Sequence, residues 1–385
     1  MLEQYFLVRG VLLATDKIKK GYYIYVENCG SSGVMNKIKM QMDTFSKHLD
    51  IKSIQIPNKK CSIVRKVYNM FPWASFEREY GKVLGQMDNP DFVYIRRIYI
   101  DKDYLAFLRE IHTRWSTCKI IVEQPVYPYD RDMLRSPYTA IQYIKELLLR
   151  KHYKDDIDRF VTYSDDDDIL GVKTIRTMNG VNVSEMRMIH NDKKFDSEGI
   201  NLITVATLVA HHGYERIIEG LHQYYQNGGE RNIVFHIVGD GPEKKRYTDM
   251  VKKYNLEAHV VFYGAKYGDE LDQIYDLADA GLAAFGSYKE GVDKLCTIKV
   301  REYFAKGLPV VLGCEDNLFR GEAKRFGLIL PNDSSAIDIS TVLSFLDSIY
   351  TDKPRIEVNN EIVELARRTV DNEVTLRPVI EYIYS

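Results

Sequence analysis

The chain has 385 residues, more than one hydrophobic core usually supports, so two domains of under about 200 residues each are expected. No apolar run reaches the ~18 residues of a membrane-spanning helix, and Glu3, Gln4 and Arg9 interrupt the opening stretch too early for a signal peptide. Total charge is close to balanced, with 53 Lys and Arg against 55 Asp and Glu, but residues 1–150 hold 24 basic against 16 acidic side chains, so the first half is basic and the rest acidic.

In chain order, the first half reads as strands and helices in alternation. YYIYVE (22–27) is a strand, NCGSSG a turn, and 34–49 a long helix. IKSIQI (51–56) and FVYIRRIYI (92–100) are strands, and DYLAFLREIHTRW a helix. KIIVEQP (119–125) is a strand stopped by proline, 139–153 a helix, and DRFVTYS (158–164) a strand. TIRTMNGV (174–181) is the last strand before a polar linker at 182–199.

The second half is cleaner. Strands are expected at 201–209, 232–239, 259–264, 280–285 and 310–313, with a sixth at 326–330. Helices fall between them at 213–225, 241–255, 269–279 and 297–306, and a further helix spans 361–383. Near-continuous apolar strands alternating with amphipathic helices predict parallel sheets covered on both faces. The fold class is therefore α/β, with two Rossmann-like doubly wound domains facing a central cleft. Their boundaries are 1–181, the linker 182–199, and 200–360. Ligands of such sheets bind at the carboxyl ends of the strands.

Several candidate sites follow from that placement. TIKVREYFAKGLPVV (297–311) is a short helix with Thr297 as its cap, stopped by Gly307 and Pro309. Lys299 in its first turn opposes the helix dipole, which suits an anion-binding corner where amides and an ammonium converge on phosphate. Glu302 shares its face and is able to accept sugar hydroxyls; the alternative is a surface Lys–Glu pair. Lys289, Glu290, Lys294, Lys299 and Arg301 crowd the preceding loop and this helix, offering positive charge to a departing diphosphate or simply a solvated loop. Gly239 and Gly241 in IVGDGPE, and Gly264 at the end of HVVFYG, free the backbone on the same edge.

In the first half, Gly30 and Gly33 open the first helix and suit an acceptor or phosphate loop, or simply an ordinary βα turn. Glu123 ends a strand and is expected either to point into the cleft as a catalytic carboxylate or to be a partly buried carboxylate held by local amides. Arg96 and Arg97 beside it either neutralise it or bind phosphate. Ser164 to Asp168 reads as a cap with acids in a short helix, or as a metal-binding Asp-x-Asp. NKKCSIVRKVYNMFPW (58–73) interleaves Lys59, Lys60, Arg65 and Lys66 with Phe71 and Trp73, either as at the interface of an anionic bilayer or as an exposed helix end packing its aromatics inward. The five cysteines (Cys29, Cys61, Cys118, Cys296, Cys314) form no C-x-x-C pair and read as reduced thiols of a cytoplasmic protein. His211 and His212 follow a strand, and no trusted metal-ligand spacing or nucleic-acid motif is present.

The block TVATLVAHHGYERIIEGL, IVGDGPE, VVFYGAKYGDELDQIYDLADAGLAAF and LCTIKVREYFAKGLPVV resembles the nucleotide-binding domain of GT-B glycosyltransferases. It is similar to the retaining, group-1 (family 4-like) branch of bacterial surface polysaccharide assembly, above all in the E-x-x-A-x-G-x-P-V pattern that begins at Glu302. The resemblance implies a cytoplasmic glycosyltransferase that takes a hexose from a UDP-linked donor, with no metal or other cofactor. A glycan, lipid-linked or protein acceptor would bind the first domain, with peripheral contact to an anionic membrane and no nucleic-acid partner. It implies that Glu302 holds the ribose hydroxyls and that Lys299 and the helix terminus hold the diphosphate, with Thr297, Gly241, Gly264 and Glu290 in the donor site. It also implies that the final helix returns to the first domain. The chain departs from the pattern in three places. A second glutamate is expected eight positions before Glu302, where Lys294 stands. Thr207 and His212 replace a usual Arg and Lys, and Glu123 falls near a usual His. Diphosphate charge is then expected from Lys289, Lys294 and Lys299. A catalytically silent partner subunit and a sugar-nucleotide epimerase are the two alternative readings.

Overall fold

The computed structural model describes all residues except 1–5, 9–10, 14–16, 27–31, 58–66, 70, 72–73, 76–77, 135–136, 192 and 197–198. The chain forms two compact units: residues 1–177 with 376–385, and residues 178–375.

Unit 1 begins with a small antiparallel pair, β1 (Phe6–Val8) and β2 (Val11–Leu13). Its main sheet holds β3 (Lys20–Val26), β4 (Asp50–Ile56), β5 (Phe92–Arg96), β6 (Lys119–Gln124), β7 (Arg159–Thr162), β8 (Asp168–Ile169) and β9 (Val172–Arg176). The order is β4-β3-β5-β6-β7-β9-β8, parallel throughout except for β8 against β9. Helices α1 (Ser32–Ser46), α2 (Tyr80–Gln86), α3 (Lys102–Arg114) and α4 (Pro137–Leu149) join these strands. One face of the sheet is covered by the aromatic and aliphatic residues of α2 and α3, among them Tyr80, Tyr104 and Phe107. On the other face α1 lies beside Leu376 and, from the last helix, α11 (Arg377–Tyr384), Val379 and Ile383.

Unit 2 has a six-stranded parallel sheet of β10 (Ile200–Val205), β11 (Ile233–Val238), β12 (Val260–Gly264), β13 (Ala280–Leu282), β14 (Val310–Leu312) and β15 (Gly327–Ile329). Its order, β12-β11-β10-β13-β14-β15, reverses direction of growth at β10, which pairs with β11 on one side and β13 on the other. Its longer helices are α5 (Glu215–Gln226), α6 (Lys244–Lys253), α7 (Gly268–Tyr275), α8 (Ile298–Ala305), α9 (Ile339–Tyr350) and α10 (Arg355–Thr369).

Helix α8 is the expected helix of the 297–311 stretch, and its seat explains its sequence. Val300, Tyr303 and Phe304 face the core. Tyr303 lies directly over Gly281 of β13, where any Cβ would come within 2.4 Å of the ring. The Tyr303 hydroxyl then accepts from the Val205 amide at 3.0 Å, tying the helix to β10. Gly307 turns the chain at φ 91°, and the Leu308 amide donates back to the Tyr303 carbonyl at 2.9 Å, a Schellman-type stop.

Three expected elements differ. The strand expected at 174–181 ends at Arg176, because residues from Met178 onward pack into unit 2. The acidic run 164–168 is not the start of a helix: Gly171 donates to Asp168, Asp167 pairs with Arg176, and the chain makes the β8–β9 hairpin. The helix expected over 361–383 is broken. Val181 pairs with Asp371 as an isolated bridge, and Pro378 opens a new helix.

Arg216, fully buried on α5, is a clamp of unit 2. It donates to the carbonyls of Ser335 at 2.6 Å, Phe285 at 2.8 Å and Pro331 at 2.9 Å. Those contacts hold the loop after β13 against the sheet. Arg216→Met removes all three donors while keeping most of the volume. Calorimetric unfolding of unit 2 should show a loss of roughly 3 kcal/mol, the scale of a broken buried charged network.

Candidate functional site

The loops after β10 and β13 lie at the carboxyl edge of unit 2, on either side of the reversal point. They approach so closely that a Cβ on Gly213 would stand 2.5 Å from the Gly286 amide nitrogen. The neighbouring βα turn is as tight: Cβ atoms on Gly239 and Gly241 would meet the carbonyl oxygens of Ala206 at 1.9 Å and Leu208 at 2.4 Å. Backbone, not side chains, therefore forms this edge.

Lys299 projects from the first turn of α8 into this region. Its ammonium lies 3.0 Å from His212 Nε2 and donates to the Tyr214 hydroxyl at 3.2 Å. Tyr214 is fixed in turn by a hydrogen bond with the Thr204 hydroxyl of β10. Both partners are neutral groups. Burial and the nearby Lys299 charge push His212 down to about 2, so its imidazole is uncharged at ordinary pH. Burial lowers Lys299 to about 7, although Glu302 pulls the other way. An ammonium with no anionic partner in hydrogen-bond reach, already near its titration point, is a cation waiting for an anion.

Glu302 is partly buried one turn on. No hydrogen bond or ion pair to its carboxylate occurs among the described residues, and burial raises its pKa against the opposing effect of Lys306 and Lys299. Lys306 itself is held by Asp272 at 2.6 Å. Thr297 precedes the helix in extended conformation, but its hydroxyl makes no capping bond and is buried without a partner. The α8 terminus is thus uncapped, and its amides remain to be satisfied. Lys299, whose partners are neutral, thus shares a short helix with Glu302 and the uncapped terminus at Thr297.

The other expected residues are placed differently. Lys289, read as catalytic, donates to the Ala210 carbonyl at 3.0 Å and forms an ion pair with Glu215, so its charge is already matched. Glu290 stands 3.5 Å from His211 Nδ1. Backbone bonds between residues 293–295 and Glu315 pin the segment that carries Lys294. Arg301 does not serve the loop at all: it is fully buried and bidentate to Asp316, with a further bond to Asn317 at 2.7 Å. Gly264 ends β12 in the left-handed region at φ 69°, with open space where a side chain would be. Tyr214 and Tyr303 carried no distinguishing sequence signal, because a tyrosine in an apolar run reads as core.

In unit 1, Glu123 is not open to an approaching group. It is completely buried at the end of β6, with Lys37 at 2.9 Å, Arg96 at 2.8 Å, Gln41 at 3.0 Å and the Tyr163 hydroxyl around it. Burial alone would raise its pKa, but the Lys37 and Arg96 charges and the hydrogen bonds outweigh it and bring it to about 2. A fully buried carboxylate with that many donors around it holds α1 to the sheet. Arg97 pairs with Glu146 at 3.1 Å and stacks on Tyr129. Gly33 is an exposed residue in the first turn of α1, while Gly30 lies outside the described residues, as do Lys59, Lys60, Arg65, Lys66 and Trp73.

Residues 185–321 match the family model described as glycosyl transferases group 1. A putative colanic acid biosynthesis glycosyltransferase, WcaL of Salmonella typhimurium, is 27% identical over 157 residues, which is 40% of this chain and 38% of that protein. The chain thus spans well under half the length of the curated relatives it matches. Among solved structures, Anabaena Alr3699/HepE in complex with UDP covers 95% of this chain and 99% of its own, with a TM-score of 0.62 at 12% identity. Sucrose-phosphate synthase from Thermosynechococcus elongatus covers 94% and 98%, with a TM-score of 0.64 at 12% identity. At those identities the structures bear on the fold, which is GT-B with two parallel-sheet α/β units, and the resemblance to group-1 bacterial glycosyltransferases is borne out.

The Glu123 cluster makes a test of its structural role. Its pKa is below that of an unfolded glutamate, so its stabilisation is present above about pH 4.5 and is lost as pH falls toward 2. Trp115 lies in unit 1, packed against its core, and reports on it. Glu123→Gln should cost roughly 3 kcal/mol in urea unfolding followed by fluorescence at pH 7, and the difference from wild type should shrink in acid.

Proposed function

We propose that this chain, which carries a group-1 glycosyl transferase domain at residues 185–321, transfers a sugar from a nucleoside-diphosphate donor bound at the carboxyl edge of unit 2. The observation that carries the reading is the uncapped α8 terminus, with an unmatched Lys299 ammonium and an unpartnered Glu302 carboxylate on the same helix.

The diphosphate sits on the α8 amides and accepts from Lys299, two positive ends that act together. Glu302 accepts from the ribose hydroxyls, a task that suits a carboxylate with free lone pairs. As the bond from the sugar's anomeric carbon to the diphosphate oxygen breaks, negative charge grows on that oxygen. Lys299 and the amides are already oriented toward it, so the charge is met without reorganisation and without calling on a metal ion. The UDP of the HepE complex supports uridine as the donor base. The group-1 resemblance supports a hexosyl group transferred with retention, and WcaL supports a polysaccharide-building role. A glycan, lipid-linked or protein acceptor is assigned to unit 1.

Calorimetric titration of the full chain with UDP tests the site. Lys299→Ala and Glu302→Ala should each weaken binding by about 1–3 kcal/mol, the worth of hydrogen bonds to charged groups. Wild-type affinity in both variants would remove the assignment.

The titration of Lys299 gives a second test. Its pKa is about 7 in the free protein, and a bound diphosphate must raise it. Affinity is then greatest below pH 7 and falls as pH rises through the window above it. At pH 8, UDP binding should take up a proton, visible as an enthalpy that changes with the ionisation enthalpy of the buffer. Lys299→Met should bind weakly and show no such uptake. Equal enthalpies across buffers for the wild type would contradict the assigned contact.

A further inference from the structure

The lysines of this part of unit 2 are held in two different ways. Lys289 and Lys306 are matched by carboxylates, Glu215 and Asp272. Among the described residues Lys299 is held only by neutral acceptors, His212 Nε2 at 3.0 Å and the Tyr214 hydroxyl at 3.2 Å. His212 is itself firmly placed. Its amide donates to the Val209 carbonyl at 3.0 Å, and its carbonyl accepts from the Phe285 amide at 2.7 Å, which ties it to the loop after β13. Its ring stacks on Tyr214 with centroids 5.5 Å apart and meets His211 edge-on at 4.6 Å. Gly213 between the two acceptors takes φ 65°, and with that turn both reach the same ammonium.

A charged imidazole and an ammonium both offer only donors, so the contact needs one neutral member, and burial makes that member the imidazole. With Lys299 charged, His212 Nε2 must accept, and the ring proton sits on Nδ1. Two of the three ammonium hydrogens are then directed at Nε2 and the Tyr214 hydroxyl. A tetrahedral nitrogen leaves the third with one direction, and no described residue accepts it. The kind of acceptor matters as much as its place. A carboxylate at position 212 would neutralise the ammonium, as Glu215 does for Lys289. A second ammonium there would repel it. A neutral imidazole orients the head of an otherwise flexible side chain and leaves its charge intact.

On the reading that the donor's diphosphate binds at the α8 terminus, we propose that His212 is a positioning residue of that site, a neutral acceptor that fixes the Lys299 ammonium with one N–H left for the diphosphate. Tyr214, held by Thr204, is the second fixed point. His212 acts through Lys299 and not on the ligand, and orientation set before binding is what makes such a charge effective.

Calorimetric titration of the full chain with UDP tests it, on variants whose circular dichroism matches the wild type. His212→Ala should weaken binding about tenfold, and His212→Gln, which keeps a neutral acceptor, should come within about threefold of wild type. His212→Glu has the size and reach of the glutamine but adds a matching charge, and it should bind at least as weakly as His212→Ala. A packing role would not separate the two. In a Lys299→Ala background, His212→Ala should change affinity by less than about twofold, since its effect passes through the ammonium. Equal affinities for His212→Gln and His212→Glu would overturn the proposal. So would an undiminished loss from His212→Ala in the Lys299→Ala background, which would give His212 a contact of its own with the ligand. UDP binding that is absent in the wild type, or unchanged by Lys299→Ala, would instead remove the donor site and this inference with it.

Discussion

Helix α8 holds three charged side chains within four residues, and the protein neutralises only one of them. Arg301 is buried and bidentate to Asp316, which sets the rotation of the helix about its axis. With Arg301 turned inward, Lys299 and Glu302 must leave from another face. Among the described residues neither finds an opposite charge in hydrogen-bond reach: Lys299 meets a neutral imidazole and a phenol, and Glu302 feels Lys306 and Lys299 only at a distance. Leaving two half-buried ions uncompensated costs stability, and proteins keep such costs where a ligand relieves them. The rest of unit 2 serves this arrangement. Gly281 admits Tyr303, Tyr303 ties α8 to β10, and Arg216 holds the loop that leads into the helix.

Much of this was legible in the sequence because it rests on local rules. Apolar strands, helix stops at Gly307 and Pro309, and the alternation of elements follow from periodicity and turn chemistry, and the two-sheet fold followed from them. The α8 stretch stood out for the same reason, a cation where the helix dipole disfavours one. What the sequence did not reveal was pairing. Lys289, Lys294, Lys299 and Arg301 look alike as a string of cations. Their fates depend on Glu215, Glu315 and Asp316, which are tens of residues away or beyond the next strand, and on a histidine and a tyrosine in the loop after β10. Periodicity reports which way a side chain faces, and it is silent on what waits there.

Glu123 shows the same limit from the other side. A glutamate ending a central parallel strand has the address of a catalytic group, since strand ends are where ligands bind. Yet Lys37 from α1, Arg96 from the adjacent strand and Tyr163 after β7 all converge on it. Once three donors have closed around a carboxylate with no exposed surface, its ionisation becomes a structural constant. The feature that would have distinguished the two outcomes, a lysine at position 37 on the sheet-facing side of α1, is visible only when the helix phase is known to a fraction of a turn.

The contrast between α8 and α4 separates two ways in which a fold can leave a group unsatisfied. On α8 the unsatisfied groups are charged, few and concentrated, and a small anion with hydroxyls matches them one for one. On α4 they are aliphatic and share one outward face, Ile144, Leu147 and Leu148. Both helices hold their orientation through buried polar bonds made on the opposite side, Arg301 with Asp316 in one and Lys145 and Glu146 with their partners in the other. Such bonds are directional, whereas apolar contact is not. A helix anchored by them cannot roll to bury an exposed leucine without breaking several bonds to carbonyls and carboxylates already removed from water. Polar anchoring is thus what allows each helix to present to its surroundings a face that hydrophobic burial alone would have hidden.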